Sequence, residues 1–169
     1  MISVKGCGFD AASKVEIDSV SELVPSDRII FAQTCKIAEH IEFARQKDVA
    51  MMTFDSISEL QKIKRTYPNA KGKTHDFYVK FHVCSLQSLL KFSTLVILRT
   101  TADDSNSKAK LSKKFGAEPS LWEELVNECR RLELNLYGVA FHVGSQDSRS
   151  IPRRNSVSWF QSFTAPCAV

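Results

Sequence analysis

The sequence lacks most of the signatures that assign a chemistry at sight. There is no C-x-x-C pair, and the five cysteines, Cys7, Cys35, Cys84, Cys129 and Cys167, are odd in number and widely spaced. This argues against a disulfide framework and a cysteine-based zinc site, and for reduced thiols in a cytosolic setting. No Walker loop, no G-x-S-x-G elbow, no H-E-x-x-H and no G-x-G-x-x-G occurs, and "GCG" at 6–8 is too short for a phosphate loop. The opening MISVKGCGFD holds no apolar run of signal-peptide length, and no stretch approaches membrane-spanning length. The formal charge of +4 is scattered, without a basic stripe interleaved with aromatics, so nucleic acid is not the expected partner. The expectation is a soluble, cytoplasmic protein with no membrane partner.

What is present is a rhythm. Short apolar runs alternate with amphipathic segments: "GCGFDAAS" leads into "KVEIDSVSEL", "RIIFAQT" into "IAEHIEFARQ", and "VAMMTFD" into "ISELQKIKRTY". "TLVILRT" and "NLYGVAFHV" are later strands, and "SLWEELVNECRRLEL" is the strongest helical pattern. Ser13 stands three residues before Glu16, a capping-box spacing, and Asp55 or Ser56 would cap the third helix. Val15, Ile17, Val20 and Leu23 nearly fit helical spacing, as do Ile37, Ile41, Phe43 and Ala44. Leu121, Leu125 and Cys129 form a stripe in the last helix. Strands apolar on both sides suit a buried parallel sheet. The fold class is therefore α/β, with successive β-α units of just over twenty residues predicting a (β/α)8 barrel and an open doubly wound sheet as the alternative.

Two stretches break the rhythm, residues 72–92 and 146–169. The second is rich in serine and arginine without a period, and reads as disordered or foreign to the domain. The domain itself is expected over 1–145.

In a barrel the strand C-terminal ends converge on one face, so polar residues there are site candidates. Three strand ends carry them: Asp10 with Glu16 one turn into the next helix, Arg99 followed by Asp103 and Asp104, and His142 followed by Ser145. A carboxylate, a guanidinium, an imidazole and a hydroxyl would suit a polar ligand, anionic or aromatic. Plainer readings exist for each. Asp10 leads a helix, Arg99 can pair with Asp103 or Asp104, and a lone histidine on an apolar strand is more often a satisfied core residue than a ligand contact.

Five segments, "GFDAASKVEI", "DRIIFAQTCK", "MMTFDSISEL", "ADDSNSKAKLSKKFGA" and "YGVAFHVGS", together resemble the eukaryotic ornithine decarboxylase family, in the family's order. These are fold-type III pyridoxal-phosphate decarboxylases, so the resemblance implies a partial (β/α)8 TIM barrel of the alanine-racemase-like, cofactor-binding type. It implies His142 stacked on the pyridine ring of pyridoxal 5'-phosphate, Ser145 on its phosphate, and Arg99 near the ring. Asp10 and Glu16 match an acidic pair beside the Schiff-base lysine. The implied activity is decarboxylation of ornithine to putrescine in polyamine biosynthesis, by a homodimer; arginine, lysine and diaminopimelate decarboxylases share the scaffold. Residues from Ala38 to Gln61 match the surface that binds antizyme, although Glu42 sits where a lysine is common. Antizyme-inhibitor-like regulation without catalysis is the alternative function.

The departures from the family are specific. Its Schiff-base lysine lies in a "YAVK"-type segment, which has no counterpart here, and its glycine-rich phosphate loop and C-terminal β-domain would follow Ser145. Its "ANPCK" reads "AQTCK" at 32–36. Gly72 to Phe92 intervene where the family runs almost directly into its next strand, as if by translated intron or a mis-joined gene model. These 169 residues are accordingly expected to be catalytically inert by themselves.

Overall fold

The computed structural model describes residues 8–68 and 94–142. Segments 72–92 and 146–169, and Ser145, lie outside the described residues. Among the described residues five strands alternate with four α-helices: β1 (Phe9–Ala11), α1 (Lys14–Ser21), β2 (Ile29–Phe31), α2 (Ala38–Gln46), β3 (Met51–Phe54), α3 (Ile57–Thr66), β4 (Leu95–Arg99), α4 (Trp122–Arg131) and β5 (Asn135–Ala140). All neighbouring strands pair in parallel, and their order in the sheet is their order in the chain. A doubly wound sheet reverses its strand order at a switch point. This one does not, which excludes the open-sheet alternative.

The distribution of the helices gives the same answer. Ile17 of α1, Ile41 and Ala44 of α2, Leu60 and Ile63 of α3, and Leu125 and Cys129 of α4 all enter one core cluster. They meet there the alternate strand residues Ala11, Ile29, Phe31, Met52, Phe54, Val96 and Leu98. The opposite face carries a separate cluster, Ile30, Met51, Leu95 and Ile97, with Tyr137 and Ala140 against it and no helical residue. Helices on one face and side chains alone on the other make an arc of a β/α barrel, with its interior on the second face. Burying each large aliphatic side chain of the helix-side cluster contributes about 1.5–3 kcal/mol.

Capping explains how the units close. The Ser13 hydroxyl accepts from the Glu16 amide at 3.3 Å, and the Glu16 carboxylate accepts from the Ala12 amide. The reciprocal pair is the predicted one, displaced by one residue on the return bond. α2 and α4 end alike, with Asp48 and Glu133 at φ 56° and 53°. Val49 and Leu134 then return their amides to Ala44 and Cys129 at 2.8 and 2.9 Å, and the chain enters the next strand.

Several expectations fail for physical reasons. Val15 and Leu23 are 74% and 66% exposed, because the face of α1 that meets the core is the one carrying Ile17 and Val20. Ile37 stands at the N-terminal boundary of α2 and Leu121 in the 3-10 turn Pro119–Leu121, so both remain exposed. Neither Asp55 nor Ser56 supplies a side-chain cap to α3; the Asp55 carboxylate instead accepts from the Gly116 amide at 3.0 Å. β5 is exposed at Asn135 and half-buried from Leu136 to Ala140 rather than a covered strand, since it pairs only with β4 among the described residues. A register shift opposite Val96 and Ile97 leaves Tyr137 as the extra residue. That bulge puts Leu136 and Val139 on the helix side and Tyr137 and Ala140 on the interior side. Among the described residues no helix is long and apolar enough to cross a membrane.

Candidate functional site

The interior-face register puts Asp10 opposite Ile30 and Arg99 opposite Ala140, with His142 two residues further along. All five strands run the same way, so β4 and the segment leaving β5 end at one rim. Asp10 belongs to that rim electrically. Partial shielding from water raises its pKa above 3.8, Arg99 opposes that rise, Glu16 adds to it, and His142 opposes it. Arg99, Glu16 and His142, from β4, α1 and the segment after β5, thus all act on Asp10 in β1. Ser145 falls outside the described residues.

The plainer readings can now be weighed. His142 is exposed, so it is not a core histidine. Arg99 is half-buried, and its guanidinium carbon lies 5.8 Å from the centroid of the Phe115 ring. Asp104 does not serve as its partner: its carboxylate accepts from the Leu111 and Ser112 amides at 2.6 and 2.9 Å, and from the Ser112 hydroxyl at 2.6 Å. The Ser112 hydroxyl chiefly holds Asp104 below the usual carboxylate range. Asp103 accepts from the Ser105 amide at 3.0 Å. Glu16 has a structural task as well, in capping α1.

Sequence reasoning missed a second charged group at the same end of the sheet. Lys36, between β2 and α2, and Glu59, in the first turn of α3, are each 2% exposed. The Lys36 ammonium meets the Glu59 carboxylate at 2.9 Å and donates to the Gln33 and Thr53 carbonyls at 3.0 and 2.7 Å. Lys62 meets the same carboxylate at 2.6 Å and donates to the Lys36 carbonyl. Burial draws the Lys36 amine below the usual lysine range, with Glu59 opposing. Nothing in "AQTCKIAEH" or "ISELQKIK" marks either residue as buried. Beside them, the Thr34 hydroxyl is buried without a hydrogen-bond partner, at the position where the family pattern has proline.

The rim offers a carboxylate, a guanidinium and an exposed imidazole, a donor set for an anionic ligand with a flat ring. Among the described residues no cluster of histidine, cysteine and carboxylates could hold a metal ion. Residues 1–158 match the family described as pyridoxal-dependent decarboxylase, pyridoxal binding domain. The chain belongs to that family. The ornithine decarboxylase of Schizosaccharomyces pombe is 38% identical over 141 residues, 83% of this chain and 27% of that protein. Antizyme inhibitor 2 of Xenopus laevis is also 38% identical over 141 residues, covering 83% and 26%. Among solved structures, the arginine decarboxylase of Paramecium bursaria Chlorella virus superposes with a TM-score of 0.66 at 31% identity, over 92% of this chain and 34% of that one. The chain is a partial barrel, and it spans between 25% and 31% of the length of such curated relatives. The family carries out pyridoxal-dependent decarboxylation of amino acids.

The donor set fits the family's cofactor. His142 supplies a flat, water-accessible ring, Arg99 a fixed positive charge and Asp10 a carboxyl that keeps its proton more readily than a free one.

Proposed function

We propose that this chain forms one wall of the cofactor site of an ornithine decarboxylase-like enzyme, converting ornithine to putrescine in polyamine biosynthesis. The meeting of Asp10, Arg99 and His142 at one rim of a parallel sheet supports this most directly. When bound, pyridoxal 5'-phosphate supplies the electron sink for the electrons left as carbon dioxide departs. The protein's part is positioning. By the family resemblance, His142 would hold the ring, Ser145 would bind the phosphate, and Arg99 would supply positive charge beside the ring. Asp10, with Glu16 behind it, holds a carboxyl proton near the amine end of the substrate. The domain is read as 1–145, and in the intact protein two copies form the working dimer, in the cytoplasm.

The 169 residues have no counterpart of the "YAVK" lysine, so the reading is that they do not decarboxylate by themselves. The test is a titration of the purified chain with pyridoxal 5'-phosphate, followed by borohydride and mass spectrometry. Expected are reversible binding, weakened about 5- to 10-fold in His142→Ala when aromatic stacking is lost (on the order of 1–1.5 kcal/mol), and no lysine adduct. Absence of any binding, or a trapped lysine, overturns the reading.

A second reading has an observation of its own. The antizyme inhibitor from Xenopus matches this chain as well as the fungal decarboxylase does. In that reading Ala38 to Gln61 present an antizyme-binding surface and catalysis is absent. Several of its charges are already paired, Glu42 with Arg45 within α2, and Glu39 and Lys47 with Lys14 and Asp18 of α1. Co-precipitation with antizyme, beside a decarboxylase assay of the full-length gene product, separates the two.

A further inference from the structure

The rim arginine is held by a segment that lies far from it in the sequence. After β4 the chain leaves the sheet, then returns at Phe115–Ala117 to run alongside the residues it has just left. The Ala117 amide donates to the Arg99 carbonyl at 2.8 Å, and the Thr101 amide donates to the Ala117 carbonyl at 3.1 Å. Thr100 and Ala117 thereby form a parallel bridge at the C-terminal end of β4.

Three further constraints fix this returning segment. Gly116 has φ +102°, and a Cβ there would stand 2.7 Å from the Thr100 carbonyl carbon and the Thr101 nitrogen. Only glycine permits that approach. Asp55, just beyond β3, accepts from the Gly116 amide at 3.0 Å. The Trp122 indole donates to the Ala117 carbonyl at 2.9 Å. Phe115, the residue before this pinned pair, is half-buried with its ring beneath the Arg99 guanidinium.

We propose that Phe115 is a positioning residue for Arg99, and that the Asp55–Gly116 contact is the clamp that delivers it. An arginine at the end of a strand carries several free rotors, and an aromatic face attracts its planar cation. The ring reduces those rotors to the set that keeps the guanidinium over the rim rather than in solvent. Asp104, five residues beyond Arg99 in the chain, has its carboxylate engaged by Leu111 and Ser112. The consequence for an anionic ring-bearing ligand is a charge already in place when it arrives.

The ligand half of this inference rests on the cofactor reading; the protein half does not. Two readouts keep them apart. The first is the titration of Asp10, followed by carboxyl-carbon NMR of the 169-residue chain. Asp10 is faced by Arg99 from β4, Glu16 from α1 and His142 beyond β5. Releasing Arg99 weakens its share, so Asp10 should titrate upward in Phe115→Leu and return toward wild type in Phe115→Tyr, which restores an aromatic face. Asp55→Ala should repeat the Phe115→Leu result without touching the ring. The second readout is the dissociation constant for pyridoxal 5'-phosphate, expected to weaken about 2- to 5-fold in Phe115→Leu, the scale of an exposed cation–π contact. If the wild type fails to bind the cofactor, the functional reading fails while the Asp10 titration still decides the proposal. An unchanged Asp10 titration in both Phe115→Leu and Asp55→Ala, with wild-type melting temperatures, overturns it.

Discussion

Two charged groups stand at the same end of this sheet, and they are built on opposite terms. Lys36, Glu59 and Lys62 are packed between β2, β3 and α3, and every charge there has a close partner. Asp10, Arg99 and His142 lie at the interior rim, partly or wholly exposed, and Arg99 and His142 act on Asp10 through the field. A buried charge must be satisfied where it stands, because leaving one member unpaired costs several kcal/mol. A charge at a rim keeps capacity for something that arrives later. The first group fixes the ends of β2 and β3; the second has the character of a binding site.

Removing one partner from each group separates them most sharply. Glu59→Ala leaves the Lys36 ammonium buried and should cost about 3–5 kcal/mol of unfolding free energy, read from urea denaturation. The paired change Lys36→Met with Glu59→Leu should recover most of that loss, since apolar side chains of similar volume replace buried ion pairs at little cost. Asp10→Asn should change stability by no more than about 0.5 kcal/mol. A Glu59→Ala chain as stable as Asp10→Asn would remove the distinction.

Asp55 joins the two groups. It lies within the electrostatic reach of Lys36 on one side, and on the other it holds Gly116. Gly116→Ala tests the join. The added Cβ meets Thr100 backbone at 2.7 Å in a left-handed conformation, so a loss of roughly 1–3 kcal/mol is expected. The rim should loosen while the Lys36–Glu59 pair survives. Amide exchange would show this as faster exchange at Thr101 and Ala117 with Lys36 still protected; equal loss at both groups would mean they are one unit.

A smaller effect, of opposite sign, belongs to the buried group. Thr34 follows β2 two residues before Lys36, and its buried hydroxyl has no partner. Thr34→Val keeps the shape and removes the stranded polar atom, so stability should rise by about 1 kcal/mol. No change in melting temperature would mean that the hydroxyl is satisfied by water.

How much of this the sequence discloses depends on what kind of interaction decides each residue. Strands and helices are legible because apolar alternation and the Ser13–Glu16 spacing are local. The barrel arc, against an open sheet, becomes certain only from strand order and from helices sharing one face. His142 shows the limit most clearly. Its apolar neighbours suggest a core residue, yet β5 ends at Ala140 and the histidine emerges into solvent. Glu59 errs the other way: a charged residue in a helix's first turn suggests solvent, and a buried lysine from another β-α unit, with Lys62 of its own helix, makes its burial tolerable. Asp55 has the spacing of a cap but is taken by an amide sixty-one residues away. At Glu59 and Asp55 a long-range pairing overrides a local preference.

The smallest effect reports on the rim alone, through the sign of a pH dependence. Asp104 and Glu128 are held below the usual carboxylate range, Glu128 at about 2 chiefly by its hydrogen bond to Arg131. Such groups stabilise the fold above their ordinary pKa, and that contribution is lost as pH falls through the folded value. Asp10 runs the other way. Its folded pKa lies above 3.8, so below 3.8 both folded and unfolded forms hold the proton and nothing is lost. As pH rises from 3.8 through the folded value, the unfolded chain gives up its proton first, and the group turns slightly destabilising. Asp10→Asn abolishes this dependence. The melting temperature of the variant relative to wild type should therefore be higher at pH 7 than at pH 3, with the whole change small because the carboxyl is largely exposed. A difference of the reverse sign would place Asp10 in a stabilising ion pair with Arg99, and the rim would then be a second structural cluster rather than a site held open.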